Sequence, residues 1–259
     1  MATGGVITVD LNADAGESFG RWAVADEAAL FPQLSSVNLA CGFHAGDPLG
    51  LLRSIDLAAT HGVAVGAHPG FPDLAGFGRR EMRLSDAELE ADTLYQLSAL
   101  DGLLRVRGLR MHHVKAHGAL YLQMMRDARV TAVFARAVTR FDPQLPVVLL
   151  AGPGGEVMRS AAEAAGAHVV AEAFPDRAYL GDGRLAGRDT PGALIHDPGL
   201  IAERAVALAT GRPLAAADGD EVTISCQTLC IHGDSASAPA AARAVRQALA
   251  AAGVAVCAF

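Results

Sequence analysis

Hydrophobic and polar positions alternate along this chain in a repeating unit: an apolar run stops abruptly at acids, histidines and glycine, and an amphipathic stretch follows. The first case is VITVDLNADAGESFG, Val6 to Gly20, where a strand pattern gives way to Asn12, Asp14, Glu17 and Ser18. A short helix is expected over Asp26–Leu34 and a second strand over Ser35–Ala40, ending in CGFHAGD with His44 and Asp47. Pro48 suits the first turn of a helix that runs to His61, where Gly62 stops it. Val63–Ala67 is the third strand; it delivers His68 and the loop PGFPDLAGFGRR, with Asp73, Arg79 and Arg80. Ser85 and Glu88 form a capping box that opens a long helix to about Arg107.

The fourth strand is read over Met111–Ala116, within MHHVKAHGALY. In an extended chain His113, Lys115 and His117 share one face. A helix over Val130–Arg140 precedes an apolar fifth strand, Val147–Ala151, and another helix spans Val157–Ala165. The sixth strand, His168–Ala173, carries Glu172 near its end. The polar stretch Pro175–Asp197, with Asp176, Arg177, Tyr179, Arg184 and Arg188, has the length and composition of a lid. A helix over Leu200–Thr210 leads to a seventh strand, Val222–Ile231, which delivers His232, Gly233 and Asp234. A closing helix spans Ala238–Ala252, and Val254–Phe259 forms an edge strand or packs on the floor.

Seven strand patterns alternating with helices, without a break in composition, predict one α/β domain over residues 1–259. Near-continuous apolar strands are those of parallel sheets covered on both faces. Six of the seven strands end in chemically equipped loops. In a (β/α) barrel such loops form one ring, whereas an open doubly wound sheet gathers ligand at a switch point, so a seven-stranded TIM-like barrel is the expected fold.

Composition narrows the function. The formal net charge is −7 and the basic residues are scattered, against a nucleic-acid partner. No apolar run is long enough to span a bilayer, and MATGGV has no signal-peptide character, so a soluble cytoplasmic protein without membrane contact is expected. The four cysteines include no CxxC pair and read as reduced thiols. Lys115 is the only lysine among 21 basic residues, which marks it for a task an arginine cannot do. GPGGE lacks the dinucleotide-binding spacing, and no Walker loop is present.

The strand ends collect Asp14, Glu17, Asp47, Glu172 and Asp234, His44, His68, His117 and His232, Lys115, and Arg79, Arg177 and Arg188. A metal reading takes Asp14, His68 and His117 as ligands with open positions for water and substrate. An acid–base reading takes Lys115 or a carboxylate as base and a histidine as acid. His61, His168 and His196, at element boundaries, are structural.

The strings DLNADAGESFG, NLACGFHAGDP, GAHPGFPDLAGFGRR, VKAHGALY, EAFPDRAY and IHGD resemble, in order and over nearly the whole chain, the LamB/YcsF family. Two positions depart from its pattern: Ala116 replaces the proline of VKPHG, and Ser235 and Ala236 follow Asp234 where the family continues with Asn-Pro. Both leave Lys115, His117, His232 and Asp234 in place. The resemblance implies a barrel similar to those of polysaccharide deacetylases. It also implies ATP-dependent opening of 5-oxo-L-proline to L-glutamate, with Mg as the ion of ATP or an ion at the barrel mouth, in company with 5-oxoprolinase subunits B and C. On that reading Asp14, Lys115, His117 and Glu172 are catalytic. Asp14 or Glu172 serves the attacking water, and Lys115 with His117 serves the reacting carbonyl or nitrogen. Arg79, Arg177 and Arg188 hold phosphate or the substrate carboxylate, with Glu17, His44, Asp47, Tyr179, His232 and Asp234 completing the binding set. The alternatives are a metal-dependent, deacetylase-like hydrolase acting without ATP and a non-catalytic substrate-binding subunit of a larger complex.

Overall fold

The computed structural model describes residues 6–187, 189–233 and 237–259. Its elements follow the expected alternation: β1 (Ile7–Ala15), α1 (Glu27–Leu30), β2 (Ser36–Ala40), α2 (Pro48–His61), β3 (Ala64–His68), α3 (Asp86–Val106), α4 (Gly118–Arg126), α5 (Ala128–Phe141), β4 (Val147–Leu150), α6 (Glu156–Ala164), β5 (Val169–Ala173), α7 (Pro198–Ala209), β6 (Leu214–Ala215), β7 (Glu221–Val222), β8 (Thr228–Ile231), α8 (Ala238–Ala251) and β9 (Val254–Val256).

Six strands form a curled parallel sheet in the order β3-β2-β1-β8-β5-β4, and β9 pairs with the start of β1. Between β3 and β4 the chain makes single parallel bridges at Val114, to Ala67 on one side and Val147 on the other. The expected fourth strand is thus reduced to one paired residue, with main-chain bonds from Ala67 N–H to His113 O and from Val148 N–H to Val114 O. The expected seventh strand is also divided: Glu221–Val222 turns back on Leu214–Ala215 as a small hairpin, and only Thr228–Ile231 joins the parallel sheet. The α4 helix appears where the sequence reading places only the end of a strand.

Local chemistry explains the helix boundaries. Asp47 caps α2 by accepting from Leu49 and Gly50 N–H, and Gly62 ends it at φ 65°. Ser85 and Glu88 form the expected capping box on α3, and Asp197 caps α7. The Pro175–Asp197 segment is pinned rather than loose. The guanidinium of Arg204 donates to the carbonyls of Pro175 and Arg177, and Ala178, Ala186 and Ala193 pack together. Among the described residues no helix is long and apolar enough to cross a membrane.

Both faces of the sheet are buried, but they differ in kind. Val9, Leu11 and Ala13 join the apolar core, whereas Asp10, Asn12 and Asp14 point to the concave side. Asn12 Nδ2, for example, donates to Glu172 Oε1 at 3.3 Å, although β8 lies between β1 and β5; only a side chain inside the curl can span that gap. The interior is therefore polar and needs internal partners. Asp10 is held by Ser35, Ser36 and Thr228; Asn12 by Thr228 and Asn38; and Asn38 by Asp14 and His113. Gly66 makes room for this column, because a Cβ there would overlap the His113 ring. Gly66→Ala should lower unfolding stability by about 1–3 kcal/mol, as expected for overpacking; an unchanged urea midpoint would remove the close-approach argument.

Candidate active site

The column emerges into a cavity of ≈ 250 Å³, lined among others by Asp14, Glu17, His68, Lys115, His117 and His232, with Arg79, Tyr121, Phe174 and Arg177. At its base the Lys115 ammonium lies 2.8 Å from Glu172 Oε1, 3.1 Å from Asp14 Oδ1 and 3.1 Å from Cys230 Sγ. It also sits 5.4 Å from the centre of the Phe174 ring. Burial opposes a charge on Lys115, but Asp14, Cys230 and Glu172 outweigh it and hold its pKa well above the usual range. Burial likewise opposes a charge on Asp14, and His68 and Lys115 overcome it, so its carboxyl is held well below the usual range. At Glu172 burial prevails over Lys115 and the pKa is raised. The two carboxylates on one ammonium are therefore differently disposed: Asp14 stays ionised, and Glu172 keeps a proton more readily. Tyr121 donates to the far oxygen of Glu172 at 3.4 Å.

A histidine cluster adjoins this trio. His68 Nδ1 donates to the Lys115 carbonyl, and His117 Nε2 donates to the Phe77 carbonyl, each at 2.8 Å, because a carbonyl can only accept. The remaining nitrogens, His68 Nε2 and His117 Nδ1, stand 3.0 Å apart. Asp14 Oδ2 is 3.3 Å from the first and Glu17 Oε1 is 3.2 Å from the second. Two neutral imidazoles so tethered would aim lone pairs at each other, so the arrangement calls for a shared proton or a cation. Asp14, His68 and His117 form one group with metal-ligand spacing, and Glu17, His44 and His117 form another. Carbonyl-tethered imidazoles with a carboxylate match the donor set of a divalent transition ion.

His44 stacks on His117, with ring centres 3.7 Å apart, and its Nε2 meets Glu17 at 3.2 Å. Burial draws its pKa down to about 4. Burial works against ionised Glu17, but the hydrogen bonds from His117 and His44 take it down to about 2. Gly78 permits this packing: its φ is 62°, and a Cβ would come within 2.7 Å of His44 and 2.8 Å of His117.

The structure brings together Asp14, Glu17, His68, Arg79, Lys115, His117, Arg177 and His232 around the cavity, with Glu172 directly behind Lys115. Three expected binding residues do other work. His44 is fully buried behind His117. Asp47 spends both oxygens on main-chain N–H groups, those of Leu49 and Gly50 and that of Gly20. Tyr179 is fully buried, and its hydroxyl accepts the N–H of Phe174. A polar residue after a strand looks the same in sequence whether it faces ligand or its own backbone, and that ambiguity accounts for all three. Arg188 and Asp234 lie outside the described residues. Asn38, Tyr121 and Phe174 belong to the site without having been expected there. Asn38 has a signal in the polar–apolar alternation of SVN, while Tyr121 and Phe174 read as ordinary apolar positions.

The profile of the LamB/YcsF family matches residues 9–259, and the chain belongs to that family. It is 55% identical over 251 residues to a protein of Thermus thermophilus named as the first of the 5-oxoprolinase subunits, covering 97% of this chain and 99% of that one. It is 52% identical over 248 residues to the 5-oxoprolinase subunit of the same name from Deinococcus radiodurans, covering 96% of each. The crystal structure of a lactam utilization protein from Thermus thermophilus superposes with a TM-score of 0.93 at 54% identity, covering 97% of this chain and all of that one (100%).

All four cysteines are free. Burial pushes the Cys41 and Cys226 thiols up to about 12, and raises Cys230 well above the ordinary value despite Lys115. Cys257 is exposed. Thiol titration of the native protein at pH 8 should therefore find one fast-reacting group, Cys257, with the other three appearing only on denaturation; rapid labelling of Cys230 would contradict the packing around Lys115.

Proposed function

We propose that this chain supplies the lactam-opening site of a 5-oxoprolinase, converting 5-oxo-L-proline, ATP and two waters to L-glutamate, ADP and phosphate in a cytoplasmic assembly with subunits B and C. The observation that carries this reading is the cavity itself: a buried ammonium between two unlike carboxylates, with two arginines on the lining, in a chain 55% identical to a 5-oxoprolinase subunit. The fold reading goes with it. Residues 1–259 make one domain, and the Val114 bridges to Ala67 and Val147 support treating residues 111–116 as the seventh stave of a closed barrel.

A lactam resists water because its nitrogen donates electrons to the carbonyl. Phosphorylating the carbonyl oxygen removes that resistance, after which water adds to the carbon and the ring C–N bond breaks. Lys115 stabilises negative charge on the oxygen, and Asp14, held ionised, accepts the proton of the water. Arg79 and Arg177 bind the substrate carboxylate or the phosphoryl group. Glu172 sets the position and charge of Lys115. ATP does not need a site on this chain, which has no Walker loop. A divalent ion, held by Asp14, His68 and His117, would supply Lewis acidity at the same mouth.

Glutamate release from 5-oxo-L-proline with ATP should be measured for the chain alone and with its companion subunits. Activity is expected in the full mixture. There Lys115→Ala should lower kcat by about 10²-fold or more, whereas Arg79→Ala should act mainly on KM, raising it by about 10-fold. Normal turnover in Lys115→Ala would end its assigned role. The facing nitrogens of His68 and His117 favour a second reading, a metal-dependent hydrolase that needs no ATP. A stoichiometric ion in the purified chain, with lactam or amide hydrolysis in the absence of ATP, would select it.

A further inference from the structure

Asp176 leaves β5 and His232 leaves β8, 56 residues apart, yet they meet closely: Asp176 Oδ2 accepts from His232 Nδ1 at 2.6 Å and from the His232 main-chain N–H at 3.1 Å. The first bond is at the short end for a charge-assisted pair. The His232 ring also lies against Phe174, with centres 5.8 Å apart and planes inclined by 26°. Phe174 is itself fixed by its main-chain bond to the buried Tyr179 hydroxyl. Asp176 is 9% exposed. Burial opposes its ionisation, but His232 and neighbouring Arg177 more than compensate and draw its pKa below the ordinary carboxylate value.

This is more apparatus than a ligand-contact histidine needs. It also sets His232 apart from the other histidines of the cavity. His68 and His117 are tethered by main-chain carbonyls, and their remaining nitrogens face each other. His232 has a carboxylate on Nδ1, the partner that supports an imidazolium and leaves Nε2 as the proton-transferring atom. The ring lines the main cavity and also a second one of ≈ 70 Å³, which Asp176, His196 and Ser237 line as well. A space of that size admits water.

Building on the function proposed above, we infer that Asp176 is a positioning residue that holds His232 as the general acid for the departing lactam nitrogen. As the ring C–N bond breaks, its electron pair passes to nitrogen, which takes the proton from His232 Nε2. Asp176 remains ionised throughout and balances the imidazolium before transfer. Water in the smaller cavity returns a proton to the neutral ring. The strand-end spacing of the chain thus separates two tasks, with Asp14 and Lys115 at the carbonyl and the His232–Asp176 pair at the nitrogen.

The test uses the assembled complex and the isolated chain in parallel. In the complex, Asp176→Asn should lower kcat for 5-oxo-L-proline by about 10²–10³-fold with KM changed less than about 3-fold, and Asp176→Glu should recover part of the loss. In the isolated chain, the His232 Nδ1 proton should resonate far downfield by NMR and lose that position in Asp176→Asn. His232→Gln, expected to match the kcat loss, covers the case in which Asp176→Asn fails to fold. Retained kcat, a loss confined to KM, or an unmoved Nδ1 resonance would overturn the assignment. If the wild-type assembly releases no glutamate, the lactam-opening reading fails instead, and the resonance alone decides whether the pair exists.

Discussion

One buried ammonium organises the inside of this sheet. The Lys115 side chain reaches Asp14 on β1, Glu172 on β5 and Cys230 on β8. A charge so placed is tolerated only with close counter-charges and full hydrogen bonding, and removing either partner would leave a buried ion unmatched. The rest of the interior follows from that requirement. Asp14 has to stay ionised, so Asn38 donates to it; Asn38 is turned by His113; and His113 occupies the space left by the missing side chain of Gly66. Stability and chemistry share one network, which reaches from the floor to the cavity without an apolar break.

That sharing explains why the interior is polar at all. A barrel of this size is ordinarily filled by branched apolar side chains in layers. Here the layers are Asp10 with Ser36 and Thr228, then Asn12 with Asn38, then Asp14 with Lys115. Each polar atom limits its neighbour's orientation, so the carboxylate and ammonium at the top stand in one geometry rather than several. Preorganisation of this kind is what electrostatic catalysis relies on.

Much of this was legible in the order of residues. Apolar strands that stop at acids, histidines and glycine placed the cavity at one end of a parallel sheet, and the single lysine pointed to its centre. Capping signals at Pro48, Gly62, Ser85 and Glu88 set helix boundaries from local chemistry alone. What was not legible depends on three-dimensional pairing. The strand expected over Met111–Ala116 keeps pairing only at Val114, and α4 begins at once after His117 because Gly118 turns the chain at φ 52°. Asp47 and Tyr179 carry reactive groups but spend them on backbone N–H donors, a choice that position along the chain does not encode. Asp176 stood in the sequence as one polar residue among many in a long segment, and only the return of β8 gives it His232.

The order β3-β2-β1-β8-β5-β4 has a temporal consequence. During synthesis β1 emerges early and finds β2 within a few dozen residues, but its other edge pairs with β8, more than two hundred residues later. Until then Asp14 has no β8 alongside, and the partner of Asp176 has not left the ribosome. The long closing contacts make assembly slow, and the open edge of β1 is a surface on which nascent chains can adhere. A cell making this protein thus depends on keeping one strand edge sheltered for nearly the whole of translation, and a premature stop in the last eighth of the message would leave a sheet with no site.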